Sequence, residues 1–188
     1  MKKSLTQEQI SQSVTKDQEA ERIATAQRDP QAFGDLYDQY APSIYRYLLS
    51  RLGNVEEARD VTSQTFLKAV EIFPRYTHRG YFSAWLFSIA RSKYVDHVRR
   101  RKHGVEIIRE EQVDPLPDPL TELVATERMA ELMKCIRTLA PEEQELLRLR
   151  YVADLSFTEM AELLLKSESA VKKSFYRLLA RLQSQLEA

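Results

Sequence analysis

The chain has 188 residues, of which 30% are charged and 43% hydrophobic, the balance of a protein that can bury a core. Its four glycines are scattered, so no glycine-rich loop is available for phosphate binding. The single cysteine, Cys135, excludes an internal disulfide framework and a cysteine zinc site. No apolar run is long enough for a membrane helix, and the N-terminus lacks a secretory signal. We expect a cytoplasmic protein that makes no membrane contact of its own.

The net charge is zero, but the charges are segregated along the chain. Residues 1–103 carry 17 Lys/Arg and 12 Asp/Glu, residues 104–165 carry 6 and 14, and residues 166–188 carry 5 and 2. Two basic stretches separated by an acidic one suit a protein that touches a polyanion at two places. Solvated helix faces are also often patchy, so charge alone leaves both interpretations open.

Apolar residues recur at helical spacing from the first predicted helix onward. That helix is expected to begin at Asp29 and Pro30, a cap residue followed by the proline of a first turn. Pro42 lies inside the pattern and is expected to bend or divide the helix. A second helix follows the "LGN" of residues 52–54 and ends before Pro74.

A third helix, from about Ser83 to Lys102, and the loop before it combine positive charge with aromatic rings. Residues 75–103 contain eight basic side chains, one acid (Asp96) and six aromatic rings. Cations neutralise phosphates, and rings offer flat surfaces on which unpaired bases stack. The combination favours binding of single-stranded nucleic acid, or of bases turned out of a duplex.

Packing is the alternative explanation for the rings. Phe82 and Trp85 lie on the side of the predicted helix that looks buried; the expected core of this helix is Trp85, Leu86, Ile89, Ala90 and Tyr94. Tyr76 and Tyr81 flank a loop that contains Gly80 and are harder to explain as packing.

Enzyme chemistry has no support in the sequence. The three histidines, His78, His97 and His103, all lie in the basic window, and none has a carboxylate or thiol partner at metal-binding helical spacing. No nucleophile motif is present. We expect no catalytic residue, no metal site and no cofactor, and we expect histidines that face solvent or phosphate.

The chain changes character at residues 110–122, which contain three prolines, five acids and no basic residue. Proline cannot continue a helix, and like charges keep a segment extended, so we expect a linker there. Helical patterns resume near Leu120.

The last two predicted helices form a helix-turn-helix pattern. Ser156 with Glu159 is a capping box for the first helix, and Ser167 can cap the second. Apolar residues at helical spacing bury the second helix and leave an outward face with Lys172, Lys173, Tyr176 and Arg177. This pattern is typical of a DNA-reading helix-turn-helix, although any pair of packed helices shows the same periodicity.

These segments together resemble a bacterial sigma-70 family sigma factor of the extracytoplasmic-function (ECF) type. "DPQAFGDLYDQYAPSIYRYLLSRLGNVEEARDVTSQTFLKAV" and "FSAWLFSIARSKYVDHVRR" are similar to the two halves of region 2. "LAPEEQELLRLRYVADLSFTEMAELL" followed by "AVKKSFYRLLARL" resembles region 4. The resemblance implies an all-α fold of two small helical domains, a region 2 bundle and a region 4 helix-turn-helix, joined by an acidic, proline-containing linker. The implied divisions are an extension at 1–27, region 2 at 28–103, the linker at 104–122 and region 4 at 123–188.

The resemblance also implies partners and residue roles. Region 2 would bind the clamp of the largest subunit of core RNA polymerase through Asp60, Gln64 and Lys68. It would also bind the promoter −10 element while the DNA melts. The residues for this contact would be Arg75, Tyr76, Arg79, Tyr81, Trp85, Arg91, Lys93, Arg99, Arg100 and Arg101. Region 4 would bind the −35 element through Ser169, Ala170, Lys172, Lys173, Tyr176 and Arg177. A specific anti-sigma factor would cover these faces.

Four positions depart from the family pattern. Ser92 replaces the asparagine that usually follows "IAR", and Leu165 replaces the glycine of the helix-turn-helix turn. Ala170 replaces a threonine, and Ser174 ends a "KKS" where "KSR" is usual. These changes fall on surfaces that would read DNA, so promoter preference is not transferable.

The runner-up function is a stand-alone helix-turn-helix regulator whose N-terminal helices dimerise or sense a signal. A third interpretation, an RNA-binding protein that uses the aromatic window, leaves the helix-turn-helix unexplained. The second predicted helix distinguishes the sigma factor from the stand-alone regulator. A sigma factor needs Asp60 and Gln64 exposed, whereas a dimerisation domain would bury an apolar stripe there.

Overall fold

All regular elements of the computed structural model, which describes residues 7–78, 81–104 and 127–186, are helical. The N-terminal half contains α1 (Gln7–Arg28), α2 (Phe33–Leu52), α3 (Val55–Ile72) and α4 (Phe82–Gly104). The C-terminal half contains α5 (Glu127–Arg137), α6 (Pro141–Leu147), α7 (Phe157–Leu164) and α8 (Glu168–Leu186). A π-helical turn, Arg148–Val152, continues α6, and a 3-10 turn, Phe73–Arg75, continues α3. The all-α fold class is confirmed; the linker beyond residue 104 lies outside the described residues.

Local capping groups determine where several helices begin. The Asn54 side chain accepts a hydrogen bond from the backbone amide of Glu57 (3.0 Å) at the start of α3. The predicted capping box of α7 is present, because Ser156 and Glu159 each accept a hydrogen bond from the other's backbone amide. Ser167 caps α8 as predicted, through the amide of Ala170 (3.2 Å).

One prediction about the first helix is confirmed and one is wrong. Asp29 caps the helical start as predicted: its carboxylate accepts a hydrogen bond from the Gln31 amide (2.9 Å) at a 3-10 turn, Pro30–Ala32, that continues directly into α2. Pro42 does not divide the helix, which continues to Leu52. Pro42 and Asp38 both lie on the solvent side, where water can satisfy the carbonyl that the proline ring leaves without a donor.

Helix α1, to which the sequence assigned no role, is part of the folded body. Its residues Ile23 and Ala26 are buried in the main core. The Tyr40 hydroxyl donates to the Glu19 carboxylate, and Arg22 donates to the Gln39 side chain (3.0 Å). Apolar burial and these polar contacts hold the second half of α1 against α2.

The two halves of the chain share a hydrophobic core. Helices α2, α3 and α4 pack together, α7 packs against α4, and the π-helical turn packs against α2. The main cluster of buried residues therefore continues from the N-terminal half into Leu149, Met160 and Val171. A smaller cluster around Leu139 and Leu182 joins α5 to α8, with Cys135 half-buried beside it.

No helix in the described ranges is both long and apolar enough to span a membrane.

Candidate polymerase and nucleic-acid interfaces

Helix α8 presents its predicted DNA-reading face to solvent. Its inner side buries Val171, Phe175, Leu178 and Leu182, as the periodicity predicted, although Leu179 is only half-buried. The predicted reading residues all fall on the exposed side: Ser169, Ala170, Lys172, Lys173, Tyr176 and Arg177. The geometry therefore gives a continuous cationic and aromatic helix face of the kind that enters a major groove.

Only one cation of this face is paired with an acid among the described residues. The Lys172 ammonium lies 2.6 Å from a Glu168 oxygen, and the hydrogen bond with that carboxylate raises the pKa of Lys172. Lys173 and Arg177 make no ion pair in the same part of the chain. Two full positive charges are thus available to phosphates on the exposed face of α8.

Leu165 closes the helix-turn-helix turn in the left-handed conformation, with φ 54° and ψ 43°. Its amide donates to the carbonyls of Ala161 and Glu162, the role that a glycine usually fills after a helix. The side chain is 91% exposed, so leucine gains no burial in return for the steric cost of this conformation. Leu165 therefore replaces the usual glycine, and the left-handed turn between the two helices is retained.

The aromatic window of α4 and its preceding loop is a packed ring cluster. The Tyr76 ring lies 4.5 Å from the Trp85 ring and 5.5 Å from the Phe82 ring, centroid to centroid. Phe82 is fully buried, while Tyr76, Tyr81 and Trp85 are half-buried against the same core. The expectation that Tyr76 and Tyr81 resist explanation by packing is therefore wrong: the Tyr76 ring packs on Trp85 and Phe82 at the start of α4, and Tyr81 packs against the same core.

Several cations of α4 have partners within the chain. Arg100 donates to the side-chain oxygen of Gln64 (3.3 Å), and Arg101 lies 3.5 Å from Glu57. His97 lies 2.8 Å from the same Glu57 carboxylate, so the prediction that the histidines face solvent or phosphate is wrong for His97. Glu57 lies on α3, 40 residues before His97 in the chain, and sequence spacing does not reveal this pairing.

The other predicted residues of this surface are distributed around α4. Arg75 and Arg99 are exposed, and Lys93 is half-buried. Arg79 lies outside the described residues. The structure therefore brings Tyr76, Tyr81 and Trp85 together at the N-terminal end of α4, and places the arginines 99–101 near its C-terminal end.

The exposed side of α3 carries a polar turn flanked by apolar residues. Asp60 is exposed, and Gln64 is half-buried and donates to the Asp60 carboxylate (2.7 Å). Lys68, one turn further on, is half-buried and pairs with Glu71 (2.9 Å). Leu67 is exposed beside them with 72% of its surface accessible. This side of α3 is a surface suited to a protein partner, with Asp60 exposed as the sigma interpretation requires.

A buried carboxylate joins the two halves of the chain. Glu145 of α6 accepts a hydrogen bond from the Tyr47 hydroxyl (2.7 Å), and burial, followed by the Glu145 charge, raises the pKa of Tyr47. Its other oxygen lies 3.3 Å from Arg51, which balances the charge without donating a hydrogen bond to it. Nε of Arg91 in α4, a predicted −10 residue, lies 3.6 Å from the Glu145 oxygen that accepts the Tyr47 hydrogen bond. Sequence reasoning missed Glu145, which looks like an ordinary acid of an amphipathic helix.

Comparisons with known proteins agree with this architecture. The family model for Sigma-70 region 2 matches residues 36–104, and the model for Sigma-70 region 4 matches residues 129–182. The chain is 36% identical to the ECF RNA polymerase sigma factor BldN of Streptomyces coelicolor, over 84% of this chain and 60% of BldN. It is 31% identical to the ECF RNA polymerase sigma factor SigD of Mycobacterium tuberculosis, over 85% of this chain and 79% of SigD. The chain belongs to the sigma-70 family.

A solved structure extends the comparison to the fold of this sigma-70 protein. The sigma factor RpoE, co-crystallised with the anti-sigma factor NepR from Bartonella quintana, matches with a TM-score of 0.57 and 20% identity, over 83% of this chain and 97% of that chain. At this identity the match supports the fold alone. The two matched regions correspond to α2–α4 and α5–α8, and all of α1 lies outside both.

Proposed function

We propose that this sigma-70 family protein binds core RNA polymerase, directs it to promoters, assists DNA melting and so starts transcription. The observation that carries the proposal is the order of the two matched regions in one chain, with an exposed reading helix in the second. The protein would act by binding, with catalysis left to the polymerase. Its place of action would be the cytoplasm, where polymerase and promoter DNA are found.

The proposed polymerase contact is the exposed side of α3. Asp60 supplies a charge, Gln64 and Lys68 add polar groups, and exposed Leu67 and Val70 supply apolar area next to them. Such a mixture of apolar area and a few charges is usual for a protein interface. We assign this surface to the clamp of the largest polymerase subunit.

The proposed −35 contact is the outer face of α8, with the six exposed residues from Ser169 to Arg177 given above. Cations would hold phosphates, while Ser169, Ala170 and Tyr176 would meet base edges.

The proposed −10 contact is the start of α4 and the loop before it. The half-buried rings of Tyr76, Tyr81 and Trp85 offer partly exposed aromatic surface for unpaired bases. Arg75, Arg79, Lys93 and Arg99 would hold the strand. Arg91, Arg100 and Arg101 would join them by exchanging their contacts within the chain for phosphates. Domain bounds of 28–103 and 123–188 for these two binding regions are part of the same proposal.

An anti-sigma factor is the proposed regulatory partner. The structural relative RpoE was crystallised with the anti-sigma factor NepR. A comparable protein that covers the α3 and α8 faces of this chain would block polymerase and promoter at once.

Co-elution with bacterial core RNA polymerase tests the proposal. We expect the wild-type protein to co-elute and the double variant Asp60→Ala, Gln64→Ala to be lost from the complex. The matched control is Gln31→Ala, Asp35→Ala, because these exposed residues have the same types and the same four-residue spacing at the start of α2. Failure of the wild type to co-elute, with duplex DNA still bound by the protein alone, would instead support the stand-alone regulator.

A further inference from the structure

We propose that Gln27 of α1 is a positioning residue for promoter melting, because it fixes the loop that carries Tyr76. The inference rests on the proposed −10 role of that loop. It gives a function in initiation to α1, all of which lies outside both matched family regions.

The Gln27 side chain binds the backbone at the end of α3. Its amide nitrogen donates to the carbonyl oxygen of Phe73 (3.1 Å) and to the carbonyl oxygen of Tyr76 (2.6 Å). A primary amide nitrogen carries two protons, so both bonds form together. The reversed amide would place its oxygen against two carbonyl oxygens, and the contacts therefore fix its orientation.

The two carbonyls lie where the helical hydrogen-bond ladder ends. The 3-10 turn Phe73–Arg75 follows α3, and the Tyr76 amide donates back to the Phe73 carbonyl (2.9 Å). Carbonyls at helix ends lack helical partners and need donors from elsewhere. Gln27 supplies two such bonds from 46 and 49 residues away, so it ties the loop to α1 instead of leaving it to local structure.

The position of Gln27 is itself fixed. Its neighbour Ala26 and, one turn earlier, Ile23 are buried in the main core. The loop end is anchored as well, because the Tyr76 ring packs on Trp85 and its hydroxyl lies 3.2 Å from the His78 ring nitrogen. Gln27 thus connects a rigid helix to the ring cluster that would receive bases.

Fixing the loop before DNA arrives lowers the ordering cost when an unpaired base is bound. Removing both bonds should therefore weaken binding of single-stranded −10 DNA. It should leave the α3 surface and the α8 surface unaffected, since neither includes Gln27 or the loop.

The test uses full-length protein in complex with core RNA polymerase. The wild-type holoenzyme first selects a transcribed duplex from a random-sequence pool. Two DNA probes are then made from that duplex: the non-template strand of its −10 element, and its −35 element as a duplex. Gln27→Met keeps side-chain length and removes the donors, and Gln27→Glu is a second variant without them. Gln31→Met is the matched control, because the Gln31 side chain makes no hydrogen bond among the described residues.

We expect both donor-free variants to bind the −10 strand about fivefold to tenfold more weakly, as the loss of one part-buried and one exposed hydrogen bond implies. Binding of the −35 duplex and co-elution with polymerase should match the wild type. Gln27→Arg, which restores donors, should recover −10 binding more than the double variant Gln27→Met, Gln31→Arg, which adds the same charge without donors at position 27. A second readout uses the free full-length protein, in which Trp85 is the single tryptophan: its fluorescence should be quenched more by acrylamide in Gln27→Met than in Gln31→Met.

Equal −10 binding and equal quenching in Gln27→Met and Gln31→Met would overturn the inference while the proposed function stands. A wild-type holoenzyme that selects no promoter would overturn both.

Discussion

The two candidate DNA-binding helices differ in how their polar faces are occupied. On α8 the predicted reading residues are exposed, and of the three cations among them only Lys172 has an acidic partner in the described residues. On α4 the cations Arg100 and Arg101 contact α3, and Arg91 faces Glu145. Duplex DNA can therefore contact α8 without displacing contacts between α8 and other helices at most of the reading residues. DNA that binds α4 must exchange contacts within the chain for contacts with phosphates and bases.

The largest effect is expected at the carboxylate that holds Arg91. Glu145→Ala removes the acceptor of Tyr47 and the counter-charge of Arg51, so we expect the free energy of unfolding to fall by about 2–3 kcal/mol. The value is below that of a fully buried pair because the Arg91 side chain is 38% exposed. Urea denaturation measures it.

Glu142→Ala, an exposed acid on the same helix, is the control and should change stability little. Equal stability of the two variants would show that the buried contact between the halves contributes nothing.

A direct comparison of α8 with α4 uses duplex DNA binding by the free protein. Lys173→Ala removes an unpaired exposed cation, so we expect the dependence of log Kd on log salt concentration to become shallower by about 0.9. Arg100→Ala should have a smaller effect, since Arg100 contacts Gln64. Fluorescence anisotropy over a salt series measures both slopes.

Lys134→Ala, an exposed cation of α5 outside the proposed reading face, controls for the general loss of positive charge. If Arg100→Ala reduced the slope as much as Lys173→Ala, the proposed difference between the free cations of α8 and the α4 cations that contact α3 would be wrong.

A smaller effect is expected at the turn before α8. Leu165→Gly relieves the left-handed conformation of an exposed leucine, and we expect a gain of about 0.5–1 kcal/mol after the entropic cost of glycine. Thermal denaturation with matched urea titrations measures it.

Asp154 also has a positive φ of 57°, and aspartate tolerates this conformation better than leucine. Asp154→Gly should therefore gain less than Leu165→Gly. A loss of stability in Leu165→Gly would contradict the claim that the turn is strained.

The sequence predicted features that depend on neighbours along the chain. The capping box of Ser156 and Glu159, the cap at Ser167 and the inward and outward sides of α8 follow from spacing of three or four residues. Pro42 was an exception, because its solvent-facing position lets the helix continue.

Contacts between distant residues were not predictable in the same way. Tyr47 and Glu145 are 98 residues apart, and Glu57 and His97 are 40 apart. Their pairing depends on how α3 packs on α4 and α6 on α2, which periodicity does not specify. The same holds for Tyr76, whose ring looked available in the sequence and packs on Trp85 in the fold.

Transcription by the reconstituted holoenzyme tests the central claim most directly. Core polymerase would be mixed with this protein on a random-sequence duplex pool, and the 5′ ends of the transcripts would be mapped. The proposed function predicts transcripts that depend on the protein and share sequence elements near −10 and −35. Transcripts without shared elements, or none beyond those of core polymerase alone, would contradict it.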